Sequence, residues 1–172
     1  MLTNYDAKAV AEVMGIAFLR DSKAAGAGDF VILHDTGRKA TGSETTLAAS
    51  PALIEKAVER GLPRQALRHV AESLAGGDKA KASSLEFGVV PKTTLERRAQ
   101  NLSPQESERT ERVARLFVHA RRALGTEAEA RAFMTAPHPA LEGRSPVDAA
   151  RTDLGTRRTE QVLNALEYGL AL

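Results

Sequence analysis

Cysteine is absent from the 172 residues, as is tryptophan, and aromatic side chains make up only 4%. Without cysteine there is no disulfide framework, no thiolate nucleophile and no cysteine-ligated zinc site. A reducing compartment is the natural setting. Scarce aromatics beside plentiful Ala, Leu, Arg and Glu favour packed helices over sheets. No apolar run approaches the ~18 residues of a membrane-spanning helix. Asp6, Lys8 and Glu12 interrupt the first apolar stretch, which speaks against a secretory signal. The length suffices for one compact domain or two small ones, with a core that needs no disulfide or metal. The expectation is a soluble, cytoplasmic, all-α protein.

Charge is unevenly placed along the chain. The net charge is only +2, yet residues 51–102 carry nine basic against six acidic groups. Residues 1–50 carry five against six, and residues 103–172 ten of each. The middle third is therefore the candidate face for an anionic partner, although basic helix faces are often merely solvated.

Periodicity and punctuation divide the chain into about nine helices and at most one strand. Val10, Val13, Met14, Ala17 and Phe18 recur on one helical face, which predicts a helix over residues 5–20. Phe30-Val31-Ile32-Leu33 reads as a short strand, and residues 34–49, rich in Gly, Thr, Ser and Ala, as a linker. From Ser50 the signals become regular. Ser50-Pro51 opens a helix that Gly61 ends. Pro63 opens the next, with Leu67, Val70, Ala71 and Leu74 inward, and Gly76-Gly77 stops it. Asp78 caps a short third helix that closes at Phe87-Gly88, and Pro91 opens a fourth to about Gln100. Ser103-Pro104-Gln105-Glu106 is a capping box for a long helix ending at Gly125, and Thr126 with Glu129 repeats the box. Pro137-His138-Pro139 is a rigid break, Ser145-Pro146 starts a short helix, and a last helix follows Gly155.

Residues 81–101 fit a helix-turn-helix, a unit whose second helix delivers polar side chains to DNA. Ser84 would be the small residue where the helices approach, and Gly88 the permissive backbone of the turn. Val89 and Leu95 would plug the core. Lys92, Thr93, Glu96, Arg97 and Gln100 would point outward, with Thr94 and Arg98 nearby. Lys92, Thr93, Thr94, Arg97 and Arg98 are the candidate DNA contacts, since such side chains hold phosphates and Arg also pairs with guanine. An ordinary helical hairpin with a solvated basic face fits the same pattern.

Motifs for catalysis are missing. His34, His69, His119 and His138 form no H-x-x-x-H pair, and His119 reads as a packed or solvated helix residue. Gly26-Ala-Gly28 fails as a dinucleotide fingerprint, and Gly37 to Ser43 holds no Gly-Lys-Ser/Thr phosphate loop. There is no G-x-S-x-G, and Asp35 beside His34 has no visible nucleophile. No enzyme and no cofactor is expected.

Several landmarks together resemble the Xre/ParS/MbcA antitoxins, whose partners are RES-domain toxins. In order they are Glu59-Arg-Gly-Leu-Pro63, Phe87-Gly-Val-Val-Pro-Lys-Thr-Thr-Leu-Glu-Arg-Arg98, Leu102-Ser-Pro-Gln-Glu-Ser-Glu-Arg109 and Arg112-Val-Ala-Arg115. Pro139-Ala-Leu-Glu-Gly-Arg-Ser-Pro146, Thr152-Asp-Leu-Gly155 and Tyr168-Gly169 follow. Val13-Met-Gly15 is similar to a short N-terminal element of the family, while residues 21–48 match nothing in it. Two departures stand out: Ala149 and Ala150 replace larger apolar residues, and Glu142 stands where glycine is common.

The resemblance implies an N-terminal helix and variable linker over 1–49, an Xre-like helix-turn-helix over 50–101, and a small helical toxin-binding domain over 102–172. It implies operator DNA and a RES-domain toxin as partners, with a homodimer and a larger toxin–antitoxin assembly. Such toxins resemble ADP-ribosyltransferases and act on NAD; the antitoxin binds none itself and blocks the toxin's site. Candidate toxin contacts are Gly143 and Arg144 of the 138–146 loop, and Tyr168, Gly169, Leu170 and Leu172 as an apolar plug with Leu166 beside them. The alternative is a helix-turn-helix repressor whose C-terminal domain only oligomerises.

Overall fold

The computed structural model describes residues 5–21, 30–34, 44–98 and 100–169. Helix α1 (Ala7–Val13) is followed by strands β1 (Ile16–Asp21), β2 (Phe30–His34) and β3 (Glu44–Leu47). Then come α2 (Pro51–Arg60), α3 (Arg64–Ala75), α4 (Lys79–Val89), α5 (Lys92–Arg97), α6 (Pro104–Leu124) and α7 (Glu127–Thr135). A 3-10 turn at Pro139–Leu141 leads into α8 (Pro146–Ala149) and α9 (Asp153–Tyr168).

The helix expected over residues 5–20 is two elements. Asp6 caps α1 by accepting from the Ala9 N–H, and the helix stops at Met14. Gly15 then turns the chain with φ +61°, and a Cβ there would lie 2.6 Å from the His69 ring. Left-handed backbone and close approach both require glycine. Ile16 onward runs extended as the central strand of an antiparallel sheet ordered β2-β1-β3. Phe18 reaches the same core as Val10 and Met14, but across a strand rather than along a helix. The apolar spacing was real; its period was not that of one helix. The strand expected at Phe30 is present as β2, paired with β1. β3 is a second correction, lying inside the expected linker. Its β-branched Thr45 and Thr46 pair with Arg20 and Leu19 of β1.

Beyond residue 50 the local signals hold. Ser50, Asp78, Ser103, Thr126, Ser145 and Thr152 each accept a backbone N–H three residues on, so six helices begin at polar caps. Ser103 and Glu106 form the full reciprocal box. Thr152 starts α9 before the expected boundary, which places Gly155 inside its first turn. The fold is predominantly helical, with the helix-turn-helix region preceding the C-terminal helices.

Helix α6 organises the interior. It packs against α1, α2, α3, α4, α7 and α9. One apolar cluster joins Val10, Phe18, Leu67, Leu95, Phe117 and Leu163 across the whole described chain. Each such side chain contributes roughly 1.5–3 kcal/mol through burial. Helices α6 and α9 run side by side in the same direction. Arg115 meets Glu160 at 3.6 Å, and seven residues on along both helices Arg122 meets Glu167 at 2.8 Å. A smaller cluster of Leu141, Ala149 and Val162, with Phe133, seats the loop before α8.

Candidate functional site

The first surface is α5 and the turn that presents it. Helix α4 lies on α3 through Ala82 and through Glu86, which is buried and paired with Arg68 at 2.9 Å. Ser84 is exposed, so Ala82 is the small residue at that contact. Gly88 lies inside α4 with ordinary helical backbone, not in the turn. The turn is made by Val90, extended at φ −131° and fully buried, because the following Pro91 forces its predecessor out of helical conformation. Val89 is buried beside it, and Leu95 anchors α5 from below.

With Leu95 inward, Lys92, Thr93, Glu96, Arg97 and Gln100 are exposed, and Thr94 is half-buried. Lys92 lies 6.0 Å above the Phe87 ring and 3.9 Å from Glu96. Arg97 has no ion-pair partner among the described residues. Arg98 stands differently. Its Nε donates to Glu106 Oε2 at 3.2 Å and its Nη2 to Oε1 at 3.0 Å. Burial pushes the Glu106 carboxyl up, yet the Arg98 guanidinium and the Ser103 N–H together hold it below the ordinary carboxylate range. The capping box was legible in the sequence. Its arginine, eight residues upstream, carried no signal.

The second surface is the 138–146 loop with α9. His138 Nδ1 accepts from the Ala140 N–H, and the Gly143 N–H donates to the His138 carbonyl, which closes the loop on itself. Gly143 has φ +76° and open space where a Cβ would be. Arg144 is bent back, its Nε donating to the Leu141 carbonyl at 3.3 Å. Arg158 of α9 donates to Glu142 at 2.8 Å and to the Ala140 carbonyl at 2.9 Å. Gly143 and Arg144 therefore sit beside the first half of α9. Tyr168 lies ten residues beyond Arg158, about 15 Å along the helix, and Gly169 follows it. Gly169 is the left-handed cap of α9, and its N–H donates to the Ala165 carbonyl. Leu170 and Leu172 lie outside the described residues.

The sequence reading missed Leu154. Among the described residues the exposed large apolar side chains are Leu154 at 75%, Tyr168 at 61% and Leu166 at 41%, all on α9. Leu154 stands one turn before Arg158, so it continues the loop surface. Glu167 is the counterweight at the far end. It accepts from Arg122 at 2.8 and 3.0 Å and lies 3.2 Å from His119 Nε2. The Arg122 guanidinium holds the Glu167 carboxyl below its ordinary range, while burial pushes the half-buried His119 imidazole down.

Between α2 and α6 runs a groove of about 520 Å³, lined by Ile54, Glu55, Glu59 and Glu111 with Tyr5 and Asp153. The Tyr5 hydroxyl donates to Glu111 at 2.8 Å, and Arg115 stands 3.7 Å from the same carboxylate. Burial, then the Glu160 charge, pushes the Glu111 carboxyl up against the pull of Arg115, the Tyr5 hydroxyl and Arg112. Among the described residues no cluster of His, Asp and Glu is placed to hold a metal ion. No described helix is long and apolar enough to cross a membrane.

Comparison with known families separates the two surfaces. Residues 54–115 match the antitoxin Xre-like helix-turn-helix domain, a span that holds α5 and its turn. Residues 119–169 match the antitoxin Xre/MbcA/ParS C-terminal toxin-binding domain, which holds the loop and α9. No curated protein matches the chain.

Proposed function

The chain is a member of the Xre/MbcA/ParS antitoxins, and from that premise we propose that it neutralises a RES-domain toxin through α9 and the 138–146 loop while repressing its own operon through α5. Its role is that of the antitoxin in a toxin–antitoxin pair. The observation that carries the toxin half is the placement of Leu154, Leu166 and Tyr168. On α9 Leu154 and Tyr168 fall on one side of the helix, with Leu166 exposed as well, and exposed apolar side chains grouped on a helix suit a partner surface. Gly143 adds a point where a partner can approach backbone with no side chain in the way.

The operator half rests on Lys92, Thr93 and Arg97, exposed on one face of a helix whose other face is anchored by Leu95. Binding as a dimer to a two-fold operator would place two copies of α5 in successive major grooves. On this reading the chain itself performs no chemistry: it covers the toxin's NAD site and binds no cofactor.

Co-expression tests both halves. The RES-domain protein encoded beside this chain should arrest growth alone and not when this chain is present. A reporter behind the operon's own promoter should fall silent with the chain and recover when Lys92 and Arg97 are replaced by Ala. Growth arrest that persists, with an oligomer that dissociates on Leu154→Asp, would favour the repressor whose C-terminal helices only self-associate.

A further inference from the structure

Helix α5 is short, spanning Lys92–Arg97, and it carries the proposed operator contacts. A helix of six residues, about 9 Å long, cannot fix its own direction against a phosphate backbone. Its N-terminal end is set by the buried Val90 and by Pro91, and its middle by Leu95. What sets its C-terminal end is Arg98. That residue is the C-cap of α5, and its Nε and Nη2 grip both oxygens of Glu106. Glu106 is buried and is itself fixed, since Oε2 accepts from the Ser103 N–H at 2.7 Å. The segment after α5 is tied down as well: the Arg64 N–H donates to the Gln100 carbonyl at 2.9 Å and the Leu102 N–H to the Leu62 carbonyl at 2.8 Å.

From this geometry we infer that Arg98 is a positioning residue for DNA binding rather than a phosphate contact, acting through Glu106 to hold α5 at its reading angle. The inference rests on the operator-binding reading above. A guanidinium recognises a phosphate best through two parallel N–H groups on one edge. In Arg98 the Nε–Nη2 edge, one of the two such edges of a guanidinium, is already occupied by the carboxylate, which leaves a phosphate only the Nη1–Nη2 edge. Moving to a phosphate would leave Glu106 with only the Ser103 N–H and the cost of a poorly paired buried charge. Arg98 and Glu106 thus link the last turn of the presented helix to the first turn of α6, the helix at the centre of the core.

Operator affinity of Arg98→Ala, Glu106→Gln and the double variant tests this, read by gel shift at several salt concentrations well below the melting temperature of each. Gln at 106 can still accept from the Ser103 N–H, so the capping box survives while the ion pair is lost. We expect each single variant to weaken binding about tenfold, and the double variant to be no weaker than either, as for two groups acting as one unit. The slope of log affinity against log salt should equal that of wild type in all three. Arg98→Lys should keep part of the affinity in the wild-type background and recover none in the Glu106→Gln background. A slope reduced by about 0.9 in Arg98→Ala, with Glu106→Gln binding as wild type, would make Arg98 a phosphate contact and overturn the inference alone. Unchanged affinity in all variants, with lowered melting temperatures, would reduce the pair to a structural one and overturn it too. Wild-type protein that binds no operator would remove the operator reading and this inference together.

Discussion

Glu142 and Arg158 stand sixteen residues apart and meet at 2.8 Å, so a guanidinium on α9 holds the tip of the 138–146 loop. Glu142 reaches that contact from a left-handed backbone, φ +60°, the one non-glycine residue with positive φ among those described. The position where the family commonly has glycine is thus one where an L side chain is strained. The ion pair, with Glu142 largely exposed, is its compensation.

Glu142→Gly should therefore stabilise the protein modestly. Left-handed backbone costs a side-chain-bearing residue roughly 1–2 kcal/mol, and water screens the exposed Arg158 contact too strongly for it to offset that strain in full. A rise in Tm of roughly 1–2 °C is expected in a chain of this size. Thermal unfolding decides, and a lower Tm would show that the Arg158 contact outweighs the strain.

Gly155 has a different constraint. A Cβ at that position would collide with the backbone carbonyl of Ala149, inside the first turn of α9. Backbone cannot swing aside as a side chain can, so Gly155→Ala should cost about 2 kcal/mol or more. A Tm lowered by roughly 4–8 °C is the expected reading. An unchanged Tm would mean that α8 and α9 slide apart freely, against the buried Ala149, Ala150 and Val162 between them.

Leu154→Ala and Tyr168→Ala should separate binding from folding. Leu154 is 75% exposed, so Leu154→Ala should not move Tm appreciably, and Tyr168→Ala should lower it by less than the loss of a buried side chain would. If each is an anchor at the toxin interface, its loss costs about 2 kcal/mol, or roughly thirtyfold in affinity. Calorimetric titration with the toxin reads this directly. Deleting residues 168–172 should likewise abolish rescue in cells while leaving operator binding intact. Rescue equal to wild type would move the contact to Gly143 and Arg144.

Glu111 predicts a pH dependence. Burial raises its folded-state pKa above the ordinary 4.5, so the folded protein holds this proton more tightly than the unfolded chain does. Its contribution to stability is therefore full below the unfolded value and is lost as pH rises through the folded value. Glu111→Gln keeps an acceptor for the Tyr5 hydroxyl without ionising. The difference in Tm between variant and wild type should move in favour of the variant from pH 4 to pH 7. A difference that is constant over that range would show that Arg115 keeps the carboxylate ionised at no cost.

Most helix boundaries were legible because their causes are local. Ser103 and Glu106, or Thr126 and Glu129, meet within one turn wherever the helix goes, and Pro51, Gly76 and Gly125 act on their own backbone. The outward set Lys92, Thr93 and Arg97 followed from Leu95 facing in, a matter of helical period alone. The division of Val10 to Phe18 into helix and strand was not legible. Both geometries bury the same residues, and the choice turned on the Gly15 approach to His69, fifty-four residues away. The fate of Arg98 was decided the same way. As sequence it is one more cation on a basic helix, and only the docking of α6 beside it puts a buried carboxylate within reach. Leu154 stood before the expected start of α9, and only the packing shows it exposed on that helix. Beyond residue 50 the sequence by itself determined where the chain turns and which helices form, since caps, prolines and glycines act within a few residues. The tertiary structure decided which charges are spent on the fold and which face outward, since that depends on how distant helices meet.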